Sequence, residues 1–221
     1  MRGNDTVACP ANVDRTRHDG AKPTASGAWK IDAPTYTYFM DRGLVAALVK
    51  LFGPSSSVLE LGAGKGCYTE ALLRAGQPSV RAIDGAPGVA DMTGGLVHTA
   101  DLTQELRLGA ADWVLCLEVA EHIPRAFEDK FLANLHAHNR RGIVLSWSDN
   151  VGGNGHVNIR DNAWVVKRIG AMGYDHDPVA EGALRHSVSD IHWFRSTLMV
   201  FRRHETPPGE GAAGLVESRA G

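Results

Sequence analysis

The chain has 221 residues, a length that suits one folded domain with a substantial core. Its composition is that of a globular protein, with 43% hydrophobic residues, 22% charged residues and a formal net charge of −2. A charge so close to balance gives no electrostatic reason to expect a nucleic-acid partner or a membrane surface.

The sequence carries no sign of a membrane span or of export. No apolar run approaches the length needed to cross a bilayer, and the first residues lack the apolar stretch of a signal peptide. Cys9, Cys67 and Cys116 are widely spaced and form no CxxC pair. Reduced thiols in an intracellular, cytoplasmic protein are therefore expected, rather than a disulfide framework or a zinc site.

Two terminal segments differ in composition from the rest of the chain. Residues 1–27 and 204–221 are rich in Gly, Pro and small or polar residues and show no apolar periodicity. They predict a disordered arm and a disordered tail around one folded unit of residues 28–203.

Strand and helix patterns alternate along the folded unit. The first half of the unit predicts a helix through Leu44, Leu48 and Phe52 that stops at Gly53-Pro54, a strand at 58–61, a helix at 66–75, and strands at 79–83, 96–98 and 113–117. The second half predicts a helix from Pro124, a strand at 142–147, helices at 165–172 and 178–188, and a strand at 193–201. Residues 113–117 are apolar throughout, as in a central parallel strand. The alternation predicts a Rossmann-like, doubly wound α/β sheet with helices on both faces, whose ligands bind beyond the carboxyl ends of the strands.

A glycine-rich turn, with Gly62, Gly64 and Gly66, follows the first strand. Glycine permits positive φ and close approach to a ligand, and the next helix directs its amino-terminal dipole at the turn. A phosphate-binding P-loop is excluded, because Lys65 is followed by glycine and the spacing is too short. A dinucleotide site, where Cys67 would replace the usual small residue, stays open. S-adenosylmethionine and a turn without any ligand are the other two interpretations.

Acidic residues follow the next strands at informative positions. Asp84 ends the second strand, where a carboxylate can accept from both ribose hydroxyls, although a solvated turn is the alternative. Asp101 follows the third strand and can accept from an adenine amino group or cap a turn. Glu118 and the Glu121-His122 pair come directly after the apolar strand 113–117. The order and spacing of these groups are more informative than any one of them.

Four segments together resemble the class I S-adenosylmethionine-dependent methyltransferases. They are VLELGAGKG at 58–66, AID at 82–84, AD at 100–101 and WVLCLEVAEHIP at 113–124, in the order of that family. The run LMVFRR at 198–203 matches the expected final strand. The resemblance implies a seven-stranded sheet with an antiparallel last strand, and S-adenosyl-L-methionine as the cofactor.

The resemblance also implies which residues contact the cofactor. Glu60, with the backbone around Gly62 and Gly64, would hold the methionine half, and Asp84 would bind the ribose. Asp101 and Leu102 would flank the adenine. Leu117 and Glu118 would face the sulfonium end.

Two histidines are candidates for catalysis at the acceptor. His122 follows the fourth strand, and His156 lies in a Gly- and Asn-rich loop after the fifth strand. Function concentrates on such loops, and imidazole is the side chain that exchanges protons near neutral pH. Trp147 and Asn158 are the predicted substrate-binding residues of this loop, offering a stacking face and an amide. The alternative for His156 and Asn158 is that they only hydrogen-bond the loop into shape.

The remaining patterns narrow the acceptor. The ten histidines form no metal signature, and Asp175–Asp177 is predicted to be a solvated turn, so no metal is expected. Residues 118–121 hold no Asn-Pro-Pro-Tyr or Asp-Pro-Pro-Tyr run, which argues against methylation of an exocyclic base amine or a glutamine amide. The sequence also shows no RNA-binding module. The prediction is methyl transfer to an oxygen or nitrogen of a small molecule. A protein side-chain methyltransferase, an NAD(P)-dependent oxidoreductase and a non-catalytic cofactor-binding module are the alternatives, and the oligomeric state is not predicted.

Overall fold

Seven strands form one mixed sheet in the structure, a computed structural model that describes residues 23–29 and 40–204. The strands are β1 (Ser57–Leu61), β2 (Ser79–Asp84), β3 (Val97–Thr99), β4 (Ala111–Cys116), β5 (Asn139–Ser146), β6 (Tyr174–His176) and β7 (Leu198–Arg203). Their order is β3-β2-β1-β4-β5-β7-β6. β1 to β5 are parallel, and β7 inserts antiparallel between β5 and β6. The predicted doubly wound sheet with an antiparallel last strand is confirmed.

Helices cover both faces of this sheet. They are α1 (Arg42–Phe52), α2 (Cys67–Arg74), α3 (Val89–Met92), α4 (Glu128–Ala137), α5 (Asn162–Gly170), α6 (Pro178–Ser187) and α7 (Phe194–Thr197), with 3-10 turns at Ala120–His122 and Arg125–Phe127. α4 and α5 pack into the core on one face, and α1, α2 and α6 pack into the core on the other. Within the described ranges, no helix combines the length and apolarity that crossing a bilayer requires.

The central strand β4 shows why its sequence is apolar at every position. Val114 and Cys116 are fully buried in the core beneath α4 and α5. Trp113 and Leu115 point to the other face and are buried in the core beneath α1 and α2. Successive side chains of a strand alternate between faces, so a strand covered on both sides must be apolar throughout.

Three local predictions differ from the structure. The helix expected from Pro124 begins at Glu128, because a 3-10 turn occupies Arg125–Phe127. The strand expected from residue 193 begins at Leu198, because the preceding residues form α7. The solvated turn expected at residues 175–177 is wrong, since Tyr174–His176 forms β6 and pairs with β7. The hydroxyl of Tyr174, buried at this edge, accepts a hydrogen bond from a buried asparagine amide.

The cysteines differ in state. Cys116 is a free thiol buried in β4. Cys67 is disulfide-bonded, so the expectation that all three thiols are reduced is wrong for this residue. Cys9 lies outside the described residues, as do most of the predicted arm and all of the predicted tail after residue 204.

Asp41 anchors α1 to the segment that precedes α7. Its buried carboxylate accepts the Leu44 amide at 3.0 Å as a helix cap, and it also accepts the backbone amides of Ser189, Asp190 and Ile191 at 2.7–3.0 Å. Burial by itself would raise the pKa of Asp41, but these amide donors outweigh it and the pKa lies below its ordinary value. Four donors on one carboxylate therefore join the two segments.

The variant Asp41→Asn should lower the free energy of unfolding by about 2 kcal/mol at pH 7, because an amide oxygen accepts these bonds less strongly than a carboxylate. A group with a lowered pKa stabilises the fold above its ordinary pKa, and that contribution is lost as the pH falls. The difference between the variant and the wild type should therefore shrink as the pH falls below 3.8. Urea unfolding at several pH values measures it, with Asp91→Asn, an exposed position in α3, as the control. A difference that does not depend on pH would contradict this explanation.

Candidate active site

A cavity of about 510 Å³ lies at the carboxyl ends of the parallel strands. This volume falls within the range of small-molecule sites, about 300–1,000 Å³. The structure brings together predicted site residues that are far apart in the chain. Those that line the cavity are Glu60, Gly62, Asp84, Asp101, Leu102, Leu117, Glu118, His122 and His156. Gly64 does not line the cavity, but its N–H donates to Asp84 on the cavity wall.

The glycine turn is shaped by its backbone and by a close contact. Gly62, Gly64 and Gly66 have φ values of +81°, +54° and +78°, which L side chains rarely adopt. A Cβ atom on Gly62 would lie 2.1 Å from Cγ2 of Val119, which follows β4. The absence of a side chain at Gly62 therefore lets the segments after β1 and β4 approach each other at the cavity wall.

The amides of this turn are committed to partners within the protein. The N–H groups of Gly62 and Ala63 both donate to the Ile83 carbonyl, at 2.8 and 3.0 Å. The N–H of Gly64 donates to Oδ2 of Asp84 at 2.7 Å. The amides from 62 to 64 thus fasten the turn to β2, and the groups that this part of the wall offers to a ligand are carboxylates.

Asp84 is held in one orientation by two backbone amides. Besides the Gly64 bond to Oδ2, its Oδ1 accepts the Ala86 N–H at 2.8 Å. Burial raises the pKa of Asp84, and the two amides partly offset the effect. Each carboxylate oxygen can accept more than one hydrogen bond, so an oriented Asp84 on the cavity wall can accept from a pair of neighbouring hydroxyls.

Asp101 combines a structural bond with an available acceptor. Its Oδ1 accepts the backbone N–H and the hydroxyl of Thr103, at 2.9 and 2.7 Å. This is the turn-capping role that the sequence left open. Among the described residues, none donates a hydrogen bond to its Oδ2, and the residue lines the cavity next to Leu102. Oδ2 of Asp101 can therefore accept a hydrogen bond from the amino group of a planar ring that packs on Leu102.

Glu60 is a buried acid at the end of β1. Its Oε2 accepts a hydrogen bond from the Thr69 hydroxyl. Burial raises the pKa of Glu60 to about 7, with a smaller contribution from the charge of Asp84, while Thr69 acts in the opposite direction. Near neutral pH this group is therefore poised to ionise when a cation approaches.

Glu118 adopts a backbone conformation that is rare for a residue with a side chain. Its φ is +55°, in the left-handed region. Ser146 at the end of β5 holds it, because its hydroxyl accepts the Glu118 N–H at 2.7 Å and donates to Oε1 at 2.8 Å. Burial raises the pKa of Glu118. Backbone strain of this kind persists where the surroundings impose it, and it is frequent at functional sites.

His122 and His156 lie next to each other on the cavity wall. Their ring centroids are 5.1 Å apart with the planes at 80°. Nδ1 of His122 lies 3.1 Å from the carbonyl oxygen of Gly155, and Nδ1 of His156 lies 2.9 Å from that of Asn150. A carbonyl only accepts hydrogen bonds, so each Nδ1 carries a hydrogen, and in a neutral imidazole of this tautomer Nε2 holds the lone pair. Burial lowers the pKa of His122 to about 4, so this imidazole is neutral at physiological pH.

The loop that carries His156 is tied to the 3-10 turn that carries His122. The N–H groups of Val157 and Asn158 donate to the backbone carbonyl of Glu121, at 2.9 and 3.0 Å. Gly153 makes room for the imidazole, since a Cβ atom there would lie 2.1 Å from Cε1 of His156. The two histidines are thereby set in place by backbone contacts.

Trp147 and Asn158, predicted to bind the acceptor, do not line the cavity. Both are fully buried. The Trp147 ring makes edge contacts with Phe131 and Trp164, and its Nε1 donates to the Asn158 carbonyl at 2.6 Å. The Asn158 amide donates to Glu128 at 3.0 Å. The structure corrects this prediction, because helices α4 and α5 cover the tryptophan and the asparagine holds the loop in shape.

Several wall residues were not predicted from the sequence. Trp29 lines the cavity and places its ring 5.3 Å from that of His122, at 81°. A Cβ atom on Gly27 would lie 2.2 Å from the His122 carbonyl oxygen, so residues 23–29, which include the end of the predicted arm, pack against the site. Trp193 and Phe194 also line it. Both lie within residues 193–201, which the sequence predicts to be the last strand, and the signal that could identify them is the aromatic pair itself.

Comparison with solved structures identifies the fold. Magnesium protoporphyrin IX methyltransferase from Synechocystis, with bound S-adenosylhomocysteine, matches with a TM-score of 0.56 at 20% identity over 73% of this chain and 80% of the other. An amino pentose methyltransferase from Micromonospora echinaspora, with bound S-adenosylmethionine, matches with a TM-score of 0.53 at 16% identity over 72% and 89%. No protein-family model and no curated protein matches the sequence.

The chain has the class I S-adenosylmethionine-dependent methyltransferase fold. The same fold is shared by a [4+2]-cyclase, which matches with a TM-score of 0.51 at 13% identity over 72% of this chain and 79% of the other. At such identities the likeness establishes the fold, and the chemistry must be argued from the site.

The variant Gly62→Ala should destabilise the protein more than Gly53→Ala, by about 1–3 kcal/mol, because both positions have φ of +81° but only Gly62 has a neighbour in the way. Adding Val119→Ala to Gly62→Ala should recover part of that difference, since it removes the colliding methyl groups. Urea unfolding of the three variants measures both effects. Equal losses for the two glycine variants would show that Val119 does not set this approach.

Proposed function

We propose that the protein is an S-adenosyl-L-methionine-dependent methyltransferase that acts on an oxygen or nitrogen of a small molecule. The observation that carries the proposal is one cavity whose wall holds four of the predicted acidic residues together with both predicted histidines. The carboxylates are those of Glu60, Asp84, Asp101 and Glu118.

The charge of this wall favours a cationic ligand. S-adenosylmethionine carries a sulfonium and an ammonium group, and both interact favourably with nearby carboxylates. A dinucleotide would instead bring a doubly negative pyrophosphate against Glu60 and Asp84 at the glycine turn, whose amides from 62 to 64 already have protein acceptors. The geometry therefore argues against the oxidoreductase alternative.

Each part of the cofactor has a complementary group in the proposal. Glu60 and Glu118 would face the ammonium and sulfonium end, beside the backbone of Gly62. Asp84, oriented by two amides, would accept from the ribose hydroxyls. Asp101 would accept from the adenine amine through Oδ2, with Leu102 and Leu117 as apolar contacts. Two proteins of the same fold hold S-adenosylmethionine or S-adenosylhomocysteine, which supports the same assignment.

The acceptor would occupy the part of the cavity near His122, His156 and Trp29. When bound, the cofactor supplies a methyl group already activated by the sulfonium. The acceptor atom forms a bond to that carbon as the carbon–sulfur bond breaks, and the acceptor loses a proton. The chain's own task is to align the acceptor, exclude water and assist loss of the proton at the two imidazoles.

Ligand binding and turnover test the proposal separately. In thermal-shift measurements, S-adenosylmethionine and sinefungin should raise the melting temperature, and NADH should not. Incubation with methyl-labelled cofactor and a metabolite extract should then yield a labelled small molecule. Stabilisation by NADH alone would contradict the cofactor assignment, and cofactor binding without labelling of any fraction would favour a binding module.

The variant Asp84→Asn should weaken cofactor binding by about 1–3 kcal/mol, because an amide replaces the carboxylate that accepts from the ribose. Isothermal titration calorimetry measures the affinity. The matched control is Asp112→Asn, whose carboxylate also accepts a backbone N–H, that of Ser57, but lies away from the cavity. If Asp84→Asn binds the cofactor as the wild type does, the ribose assignment is wrong.

Cofactor affinity should fall as the pH drops below 7, because Glu60 has a pKa of about 7 in the protein alone and must ionise to pair with the ammonium. Between pH 7.5 and pH 6 the affinity should weaken by about five- to tenfold, with proton release on binding at the lower pH. The variant Glu60→Gln should bind more weakly at pH 7.5 and change little over the same interval. A wild-type affinity that is flat from pH 7.5 to pH 6 would contradict this role of Glu60.

A further inference from the structure

A second group of side chains meets at the acceptor end of the cavity. Glu121, His122 and His156 each place one ligand atom within 4.8 Å of those of the other two. Glu121 is fully buried, while both histidines are partly exposed and line the cavity. The three residues thus form a carboxylate-and-imidazole cluster with one side open to the site.

The buried carboxyl of Glu121 faces a second carboxyl, that of Glu118. The two side chains lie within hydrogen-bonding reach of each other. Neither Oε1 nor Oε2 of Glu121 accepts a hydrogen bond of normal geometry from an N–H or hydroxyl group of the described residues, although both atoms are buried. Two neighbouring carboxyls that are buried without such donors are costly, so they call for a cation beside them.

The two histidines present the atoms that a ligand would need. Because each Nδ1 donates to a backbone carbonyl, of Gly155 for His122 and of Asn150 for His156, each Nε2 keeps an unshared pair. Histidines that bind metals typically donate their other ring N–H to a carbonyl or carboxylate, which fixes the ring and its tautomer. Both histidines of the cluster have this arrangement.

The backbone holds the three residues at a common point. Glu121 and His122 share one 3-10 turn, and the Glu121 carbonyl accepts the amides of Val157 and Asn158, immediately after His156. Gly153 leaves space for the His156 ring. These bonds bring residues distant in the sequence into one cluster, which is why the histidine spacing of the sequence shows no metal signature.

We propose that Glu121, His122 and His156 bind one divalent transition-metal ion, with its remaining positions open to the cavity. Two imidazole nitrogens and one carboxylate suit Zn²⁺, Mn²⁺, Fe²⁺ or Co²⁺, whereas Mg²⁺ and Ca²⁺ prefer oxygen ligands alone. Ligand atoms about 2.1 Å from a common ion lie roughly 3–3.5 Å apart. The cluster, whose ligand atoms lie within 4.8 Å of one another, therefore has to contract by up to about 1.3–1.8 Å when the ion binds.

The role of the ion rests on the proposed methyltransferase function. An acceptor hydroxyl that binds the open position forms an oxygen–metal bond and releases its proton to water, because the ion lowers the pKa of the oxygen. The bound oxygen then forms its bond to the methyl carbon as the carbon–sulfur bond breaks, and the metal keeps its oxidation state. In this more specific form of the proposed function, the imidazoles assist loss of the acceptor proton by holding the ion, and water takes the proton in place of an imidazole base.

Metal binding is tested on the full chain after treatment with a chelator. Titration with Zn²⁺ or Mn²⁺ in a calorimeter should give one site, and Co²⁺ should give a visible absorption band. Glu121→Gln, which keeps the side-chain shape, and His156→Ala should each weaken binding at least tenfold. His186→Ala, at an exposed position of α6, should bind as the wild type does. The metal site would be overturned if the wild type bound no metal, or if Glu121→Gln and His156→Ala bound it with the affinity of the wild type.

Further measurements separate the metal proposal from the proposed function. Melting curves should show that Glu121→Gln remains folded, because the amide keeps the shape of the side chain and can donate to the neighbouring Glu118 carboxyl. His156→Ala should keep the cofactor affinity of the wild type, because the His156 ring contacts Asn150 and His122, neither of which is assigned to the cofactor. Labelling of the acceptor should be lost on chelation and restored by the metal. Labelling at full rate in the chelated enzyme would overturn the role of the ion, whereas absence of cofactor binding would overturn the proposed function itself.

Discussion

The site depends on the close approach of the segments that follow β1 and β4, which is possible because Gly62 has no side chain against Val119. The same turn donates from Gly64 to Asp84, so the ends of β1, β2 and β4 are joined around one cavity. The glycines therefore matter here less as a ligand cradle than as the condition for bringing three strand ends together.

The joined strand ends bring acidic side chains together, and Glu60 and Asp84 among them are buried. Burial raises the pKa of Glu60, Asp84 and Glu118, so the protein without ligand holds these carboxyls at a cost. A cationic cofactor would offset that cost, and the proposed ion would do the same for Glu121, which lies against Glu118. Both proposals thus rest on one physical idea, that several buried acids gathered at one cavity indicate the charge of what binds beside them.

The sequence predicts the fold, and it predicts that several acidic residues meet at one edge of the sheet, for reasons that lie in local chemistry. Parallel strands end at one edge of the sheet, so Asp84 and Glu118, which follow such strands, had to come together. The apolar run of β4 indicates a strand covered on both faces. What the sequence does not reveal depends on packing between distant segments. Trp147 is covered by α4 and α5, and His156 reaches Glu121 only through backbone bonds made by the loop.

The most direct test of the central claim is a crystal structure of the protein soaked with S-adenosylhomocysteine. The ribose hydroxyls should lie within hydrogen-bond distance of Asp84, with the amino group of the ligand beside Glu60 or Glu118 and the adenine against Leu102. A cavity that stays without the ligand at saturating concentration, or a ligand whose ribose lies away from Asp84, would contradict the account.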